Sequence, residues 1–480
     1  MARCSIWLLA ITVFVPANQI ASAQEMAPAA DFALARYELG LRMKAFETRW
    51  EKVDDPAARK RAAGKMAEVH SQFLTLRFSE AARTLDLAAN AFDSDELPGN
   101  AKQWTASLTA SPEARVVDGS TKEITVTVRQ LYPVTGEMPK NLEVQLWFND
   151  KQITTVKPTR IPFTVKVPLP VLGEFQGLDR KLYFLVECGR IQRHFSLGIS
   201  EVNDFAARLA SLKKTAGEWA QLDTIEKATV RDRVELLSSL TAGGIEETDI
   251  PAASLLANAE AMLDGKPFFT TAIVGQFWMS IPLGGKKTAP VRVYIPKGLD
   301  AKKPVPIVVG LHGAGGSENL FFEGYGAGQA IAECQKRGWM FVATRSGLDF
   351  SGAPPVAVVL DELAKRYPID AKRTLVVGHS MGAGQVITLA QKHPGRFAAI
   401  ACLGGGGSVK DGKAFATLPV FVAAGEKDFG LGYAKELHKA LVAAGAKEVS
   451  FKEYPGVEHL LIVRESLPDA FEQFEKVAGK

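Results

Sequence analysis

The sequence predicts an α/β domain with a mostly parallel sheet over residues 268–480, preceded by a helical hairpin and a small antiparallel β sandwich. In the C-terminal region, short continuous apolar runs alternate with helical segments, which is typical of strands buried on both faces of a parallel sheet. Earlier in the chain, apolar and polar residues alternate strictly, which is typical of half-buried strands. The C-terminal apolar runs are residues 305–311, 339–344, 374–377, 397–403 and 420–424.

The composition is that of a soluble globular protein with more than one domain. The chain has 480 residues, of which 47% are hydrophobic and 23% charged. Lysine and arginine number 57 against 53 aspartates and glutamates, which leaves a net charge of only +4. Since this charge makes no basic footprint, nucleic acid is not an expected partner.

The N-terminus has the three parts of a secretory signal peptide. Arg3 supplies a positive charge, residues 6–15 form a short apolar run, and Ala21-Ser22-Ala23 provides small residues at the cleavage position. The apolar run is too short to span a bilayer comfortably, so no membrane span is expected after cleavage. Residues 1–23 are therefore predicted to be a signal peptide, and the protein to be secreted or periplasmic.

Residues 31–95 show helical periodicity. Leu34, Tyr37 and Leu41 recur at helical spacing. Asp54-Asp55-Pro56 is typical of a break between helices, because the aspartates can cap a helix whose first residue is the proline. A pair of antiparallel helices is predicted here.

Residues 104–198 have the period of two that predicts strands. Ile124, Val126 and Val128 alternate with polar residues, and the same pattern recurs in several short runs. A small β sandwich of unknown role is predicted, followed by a helical connector over residues 203–265. A candidate role of the sandwich is contact with a glycan.

One pentapeptide carries a catalytic signal. Gly378-His379-Ser380-Met381-Gly382 matches the G-x-S-x-G pattern, directly follows the apolar run 374–377 and opens a helix-compatible stretch. Such a strand-to-helix turn exposes a serine hydroxyl, and the flanking glycines prevent collisions there. Ser380 is the predicted nucleophile.

A serine nucleophile needs a base and a carboxylate that orients this base. Asp428 follows the apolar run 420–424, and His459 follows the next one, in the chain order Ser, Asp, His. Glu426 and Glu458 are nearby carboxylates that could serve in place of Asp428.

Backbone N–H groups are expected to hold the oxyanion of the reaction. Met381 provides one, and the glycine-rich segment 312–316 provides the other, with Ala314 preferred and Gly315 second. The aromatic residues after this segment could wall an acyl pocket, with packing in the core as the equal alternative. These residues are Phe321, Phe322 and Tyr325.

Residues 304–316 and 374–459 resemble the secreted esterase and polyhydroxybutyrate-depolymerase-like branch of the α/β-hydrolases. They are also similar to the catalytic domains of prolyl oligopeptidases. The resemblance implies a serine hydrolase domain over residues 268–480 without a metal or organic cofactor. The scattered histidines, without an H-E-x-x-H motif or paired cysteines, likewise predict no metal site.

The sequence thus favours an exported carboxylesterase that cleaves a small-molecule or polymeric ester through an acyl-enzyme on Ser380. A serine peptidase of the prolyl-oligopeptidase type is the alternative, because it needs the same three residues. A non-catalytic binding protein, whose β sandwich docks a glycan or a partner, is the third interpretation.

Overall fold

The computed structural model describes residues 29–148, 150–169, 172, 175–345 and 354–479. The predicted signal peptide, residues 1–23, lies outside them. No helix among the described residues is long and apolar enough to cross a membrane.

The N-terminal region folds into helices that end where the β sandwich begins. They are α1 (Ala29–Lys52), α2 (Pro56–Met66), α3 (Val69–Leu74), α4 (Phe78–Asn90) and α5 (Asn100–Ser107). The predicted break lies where expected, because the Asp55 side chain accepts a hydrogen bond from the N–H of Ala57 and Pro56 is the first residue of α2. The prediction of two helices for residues 31–95 is wrong, because further turns at Ala67 and Thr75 divide this stretch into four.

Two sheets follow and pack face to face. The strands are β1 (Leu108–Pro112), β2 (Val116–Asp118), β3 (Glu123–Gln130), β4 (Leu142–Phe148), β5 (Lys151–Val156), β6 (Phe163–Pro168), β7 (Gly177–Cys188) and β8 (Ile191–Val202). One sheet has the order β1-β3-β6 and the other β2-β8-β7-β4-β5. Apolar side chains of both sheets share one core, as a sandwich requires. The pairing is antiparallel except between β2 and β8.

The connector comprises α6 (Phe205–Glu218), α7 (Ile225–Thr241) and α8 (Ala252–Ala261). Its apolar residues join the core on one face of the large C-terminal sheet, so the connector is part of the packing of the C-terminal domain.

The C-terminal region forms a three-layer α/β domain around one eight-stranded sheet. Its strands are β9 (Gly275–Pro282), β10 (Thr288–Ile295), β11 (Val305–Leu311), β12 (Met340–Thr344), β13 (Ile369–His379), β14 (Ala399–Leu403), β15 (Val420–Gly425) and β16 (Val449–Tyr454). Its helices are α9 (Leu320–Glu323), α10 (Gln329–Arg337), α11 (Val356–Ala364), α12 (Met381–Lys392), α13 (Leu431–Ala443) and α14 (Leu461–Ala478).

The strand order of this sheet is β16-β15-β14-β13-β11-β12-β10-β9. β10 is antiparallel to both of its neighbours, and the pairs from β12 to β16 are parallel. The carboxyl ends of β11, β13, β15 and β16 therefore meet at one edge, where open α/β sheets bind their ligands.

The N-terminal helices are not a separate unit. Buried residues of α1, α2 and α4 belong to the same apolar core as α10 and α14 of the C-terminal domain. Trp50 of α1 also donates a hydrogen bond of 2.7 Å from Nε1 to Glu465 on α14. The helices are thus packed against the domain whose sheet edge carries the candidate site.

Candidate active site

Ser380 stands in the turn between β13 and α12. Its backbone has φ 55° and ψ −116°, a strained conformation that residues other than glycine rarely adopt. Its N–H donates a 2.8 Å hydrogen bond to the carbonyl of Leu403 on the neighbouring strand β14. The sharp turn at the sheet edge is the geometry expected of an exposed nucleophilic serine.

The two glycines of the motif are required by close backbone approach. A Cβ at Gly378 would lie 2.3 Å from the carbonyl oxygen of Gly382, and a Cβ at Gly382 would lie 2.1 Å from that of Leu311. Any side chain at either position would therefore displace the backbone that holds Ser380.

Asp428 and His459 form a buried pair. Asp428 follows β15, His459 lies between β16 and α14, and Nδ1 of His459 is 2.6 Å from Oδ1 of Asp428. The same carboxylate oxygen accepts the N–H of Gly430 at 2.6 Å. Nε2 of His459 is buried and has no hydrogen-bond partner among the described residues, so it is available to accept a proton.

The two alternative carboxylates are engaged elsewhere. Glu426 is exposed and accepts a hydrogen bond from the N–H of Gly456. Glu458 is buried and caps the start of α14 by accepting the N–H groups of Leu460 and Leu461. Of the three candidates, Asp428 is the one that contacts the histidine ring.

Some backbone N–H groups of the loop after β11 donate hydrogen bonds within the protein, and others do not. Gly313 donates to the Tyr325 hydroxyl at 3.1 Å, and Gly316 donates to the Gly313 carbonyl at 3.1 Å. The N–H groups of Ala314 and Gly315 have no partner in the described part of the chain, so they remain candidate oxyanion donors. Met381 is the first residue of α12, where N–H groups have no partner within the helix.

A buried chain of hydrogen bonds joins the loop after β11, the turn that holds Ser380 and the loop that holds His459. The Tyr325 oxygen is 2.8 Å from Nδ1 of His379, and Nε2 of His379 is 2.9 Å from the carbonyl oxygen of His459. Since a carbonyl only accepts, Nε2 carries the proton and Nδ1 accepts from the tyrosine. Burial holds the pKa of His379 well below its usual value, in keeping with this neutral tautomer.

The three aromatic residues predicted to wall an acyl pocket separate into two groups. Phe321 and Phe322 are buried in the core against Phe341, because the short helix α9 directs their rings towards the sheet. Of the two interpretations left open for Phe321 and Phe322, the structure therefore favours packing in the core. Tyr325 does line the cavity beside Ser380, where its hydroxyl holds the hydrogen bonds described above.

A mostly apolar cavity of about 110 Å³ opens beside Ser380 and His459. One side is formed by the loop of residues 313–316. The opposite side comes from the N-terminal helices, through Arg36, Leu39, Gly40, Met43, Val69, His70, Phe73 and Leu85. Helical periodicity alone did not predict that these helices form a wall of the cavity, because periodicity does not show on which distant surface a helix packs.

His70 is a residue of the site that no sequence motif singles out. Its ring centroid lies 4.5 Å from that of His459 and 4.5 Å from that of Phe429. Burial, reinforced by His459, lowers the pKa of His70 to about 3, so it stays neutral at physiological pH. It reaches the site from α3.

Within the described residues, no group of three or more histidine, cysteine, aspartate or glutamate side chains could hold a metal ion.

Residues 306–442 match the family model for the alpha/beta hydrolase fold. Among solved structures, a ferulic acid esterase is 17% identical, with 40% of this chain and 94% of that chain covered and a TM-score of 0.35. An S-formylglutathione hydrolase from Staphylococcus aureus is 15% identical over 42% of this chain and 98% of its own, at a TM-score of 0.35. A thermostable esterase is 16% identical over 77% of this chain and 99% of its own, at 0.39. The family match and the mostly parallel sheet that contains it show that the C-terminal region has the alpha/beta hydrolase fold.

Proposed function

We propose that the protein is an exported serine hydrolase that cleaves small carboxylic esters through an acyl-enzyme on Ser380. The observation that carries the proposal is the meeting, at one sheet edge, of a strained serine and a buried Asp428–His459 pair. Export rests on the pattern of residues 1–23 alone.

The chemistry follows from the positions of the three side chains. Nε2 of His459 takes the hydroxyl proton of Ser380 as Oγ attacks the ester carbonyl carbon. Asp428 holds the ring with Nδ1–H towards the carboxylate and stabilises the imidazolium that forms. The C–O bond to the alcohol then breaks, and His459 returns the proton to the departing oxygen.

Water completes the cycle by the same route. His459 takes a proton from water, the hydroxide oxygen attacks the acyl carbon, and the bond to Ser380 Oγ breaks as this oxygen regains a proton. In both halves the oxyanion is stabilised by the N–H of Met381 together with that of Ala314 or Gly315. One such donor contributes about 3 kcal/mol of transition-state stabilisation in related chemistry.

The test is hydrolysis of p-nitrophenyl acetate and butyrate by the protein starting at Gln24, beside Ser380→Ala. We expect the variant to lose at least about 10³-fold in kcat while keeping its fold. Ser408→Ala is the matched control, because Ser408 lies outside the cavity. Equal turnover by Ser380→Ala and the parent protein would overturn the proposal, and turnover of matched anilides in addition to the esters would point to a peptidase.

A further inference from the structure

The N-terminal helices are held firmly against the loop of residues 313–316, the oxyanion loop. Arg36 on α1 donates a 3.1 Å hydrogen bond to the carbonyl of Gly315 and lies 3.6 Å from Glu247. Further along α1, Glu47 accepts the N–H of Ala327 at 2.7 Å. The helix is therefore anchored at two places on the catalytic domain, so the wall that it gives to the cavity is a built part of the site.

The side chains that α1, α3 and α4 direct at the cavity are mainly apolar. Leu39, Met43, Val69 and Leu85 are all buried. Phe73 lies against the oxyanion loop, with a ring carbon 2.7 Å from where a Cβ at Gly315 would stand. This surface favours a hydrocarbon group next to the scissile bond.

The charged residues at the cavity are already paired. Arg36 is engaged by the Gly315 carbonyl and Glu247, and Glu323 lies 2.9 Å from Arg292 and 2.6 Å from Lys44. A charged acyl group would therefore lose its hydration without gaining a free partner of opposite charge. The cavity thus disfavours acyl groups that end in a carboxylate or an ammonium.

The volume limits the length of the hydrocarbon. An apolar protein cavity of about 150 Å³ holds one benzene molecule, which has six carbons. On that scale the cavity of about 110 Å³ surrounds roughly four carbons, and the rest of a longer chain would have to extend out of its open side into water.

We propose that the N-terminal helices select short, uncharged acyl chains of up to about four carbons, with Met43 and Phe73 setting the length limit. This inference rests on the proposed serine hydrolase function. It gives the helical region before the β sandwich a role in specificity.

The experiment measures kcat/KM for p-nitrophenyl acetate, butyrate, hexanoate and octanoate with the parent protein, Met43→Ala and Phe73→Ala. We expect butyrate to be preferred by the parent, and the octanoate-to-butyrate ratio to rise about tenfold or more in either variant. Leu74→Ala is the matched control, because Leu74 is an exposed neighbour of Phe73 that does not line the cavity. Its ratio should equal that of the parent.

Met43→Ala and Phe73→Ala are both made in case one of them fails to fold. Thermal unfolding shows which variant is native. A native Met43→Ala or Phe73→Ala protein with an unchanged ratio would overturn the acyl-length assignment while leaving the hydrolase function intact. A parent protein that prefers octanoate would overturn it as well. Failure of the proposed function is distinct, because Ser380→Ala would then be as active as the parent on every ester.

Discussion

The phenolic oxygen of Tyr325 lies 2.8 Å from Nδ1 of His379, and both side chains are buried. Through this contact the oxyanion loop, the nucleophile turn and the loop of the candidate base are joined by hydrogen bonds. Gly313 donates to the same phenolic oxygen, and His379 donates to the carbonyl of His459. We therefore expect Tyr325 to position these loops relative to one another.

Tyr325→Phe should impair catalysis more than substrate binding. The change keeps the ring but leaves the Gly313 N–H and His379 Nδ1 buried without a partner, at a cost of about 1–3 kcal/mol for each group. We expect kcat for p-nitrophenyl butyrate to fall about tenfold, which corresponds to about 1.4 kcal/mol, with little change in KM.

Tyr433→Phe is the control for this change, because Tyr433 is exposed. Both variants are compared by steady-state kinetics and thermal unfolding. An unaltered kcat in native Tyr325→Phe would show that the hydrogen bonds of Tyr325 do not position the site.

Asp428→Asn should nearly abolish turnover. The equivalent change in a serine protease triad lowers kcat by about 10⁴, because the imidazole is left in the wrong tautomer. We expect a loss of similar order here, measured with p-nitrophenyl butyrate across pH 6–9. Glu426→Gln should retain parental activity, since Glu426 bonds the N–H of Gly456 and not the histidine. The reverse pattern would mean that Glu426 is the orienting carboxylate.

Two glycines of α12 should respond in opposite directions to alanine. At Gly382 the new Cβ would meet the Leu311 carbonyl oxygen at 2.1 Å, so Gly382→Ala should destabilise the fold and inactivate the enzyme. At Gly384 the nearest atom is 3.4 Å away, and replacing a helical glycine should raise the free energy of unfolding by up to about 1 kcal/mol. Chemical denaturation measures both effects, and equal stability of the two variants would refute the packing at the turn.

The docking of α1 should weaken as pH rises. Burial raises the pKa of Glu47 to about 8, although the backbone N–H groups of Gly326 and Ala327 oppose this shift. Between the ordinary glutamate pKa of 4.5 and about 8, the folded protein holds a proton that the unfolded chain has lost. The stability from the protonated carboxyl is therefore complete below pH 4.5 and is lost as pH rises towards 8.

Glu47→Gln should remove this pH dependence, because glutamine keeps an acceptor for Ala327 and carries no proton to lose. We expect its melting temperature, relative to the parent, to increase from pH 5 to pH 8. Glu51→Gln on the same helix is the control, since Glu51 is exposed. If the difference in melting temperature between the parent and Glu47→Gln does not change with pH, the burial of an ionisable Glu47 is contradicted.

The strands and the serine turn at the sheet edge could be predicted from the sequence. The helices that cover this edge could be predicted only in part. Apolar runs predicted β11 and β15 closely, because residues buried on both faces leave a continuous apolar signal. The same signal shortened β13, because residues 370–373 include polar and exposed side chains. Ile369 pairs with Val305 of β11, and after an irregularity the pairing resumes at Thr374. The serine turn was recognisable because close backbone approach demands glycine at fixed positions on either side of Ser380.

The cavity wall was not predictable in this way. His70 and Phe73 are more than 300 residues from Ser380 in sequence, and helical spacing identifies an apolar face without naming its partner. The two interpretations of Phe321 and Phe322 stayed open for the same reason, because nearness to the oxyanion loop in sequence does not fix the direction of a side chain.

The most direct test of the central claim is to react the protein with an alkyl fluorophosphonate, which phosphonylates activated serines, and to locate the adduct by peptide mass spectrometry. We predict one adduct, on the peptide that contains Ser380, and no adduct in Ser380→Ala. An adduct on a different residue, or ester hydrolysis that continues in a protein fully modified at Ser380, would contradict the assignment of Ser380 as the nucleophile.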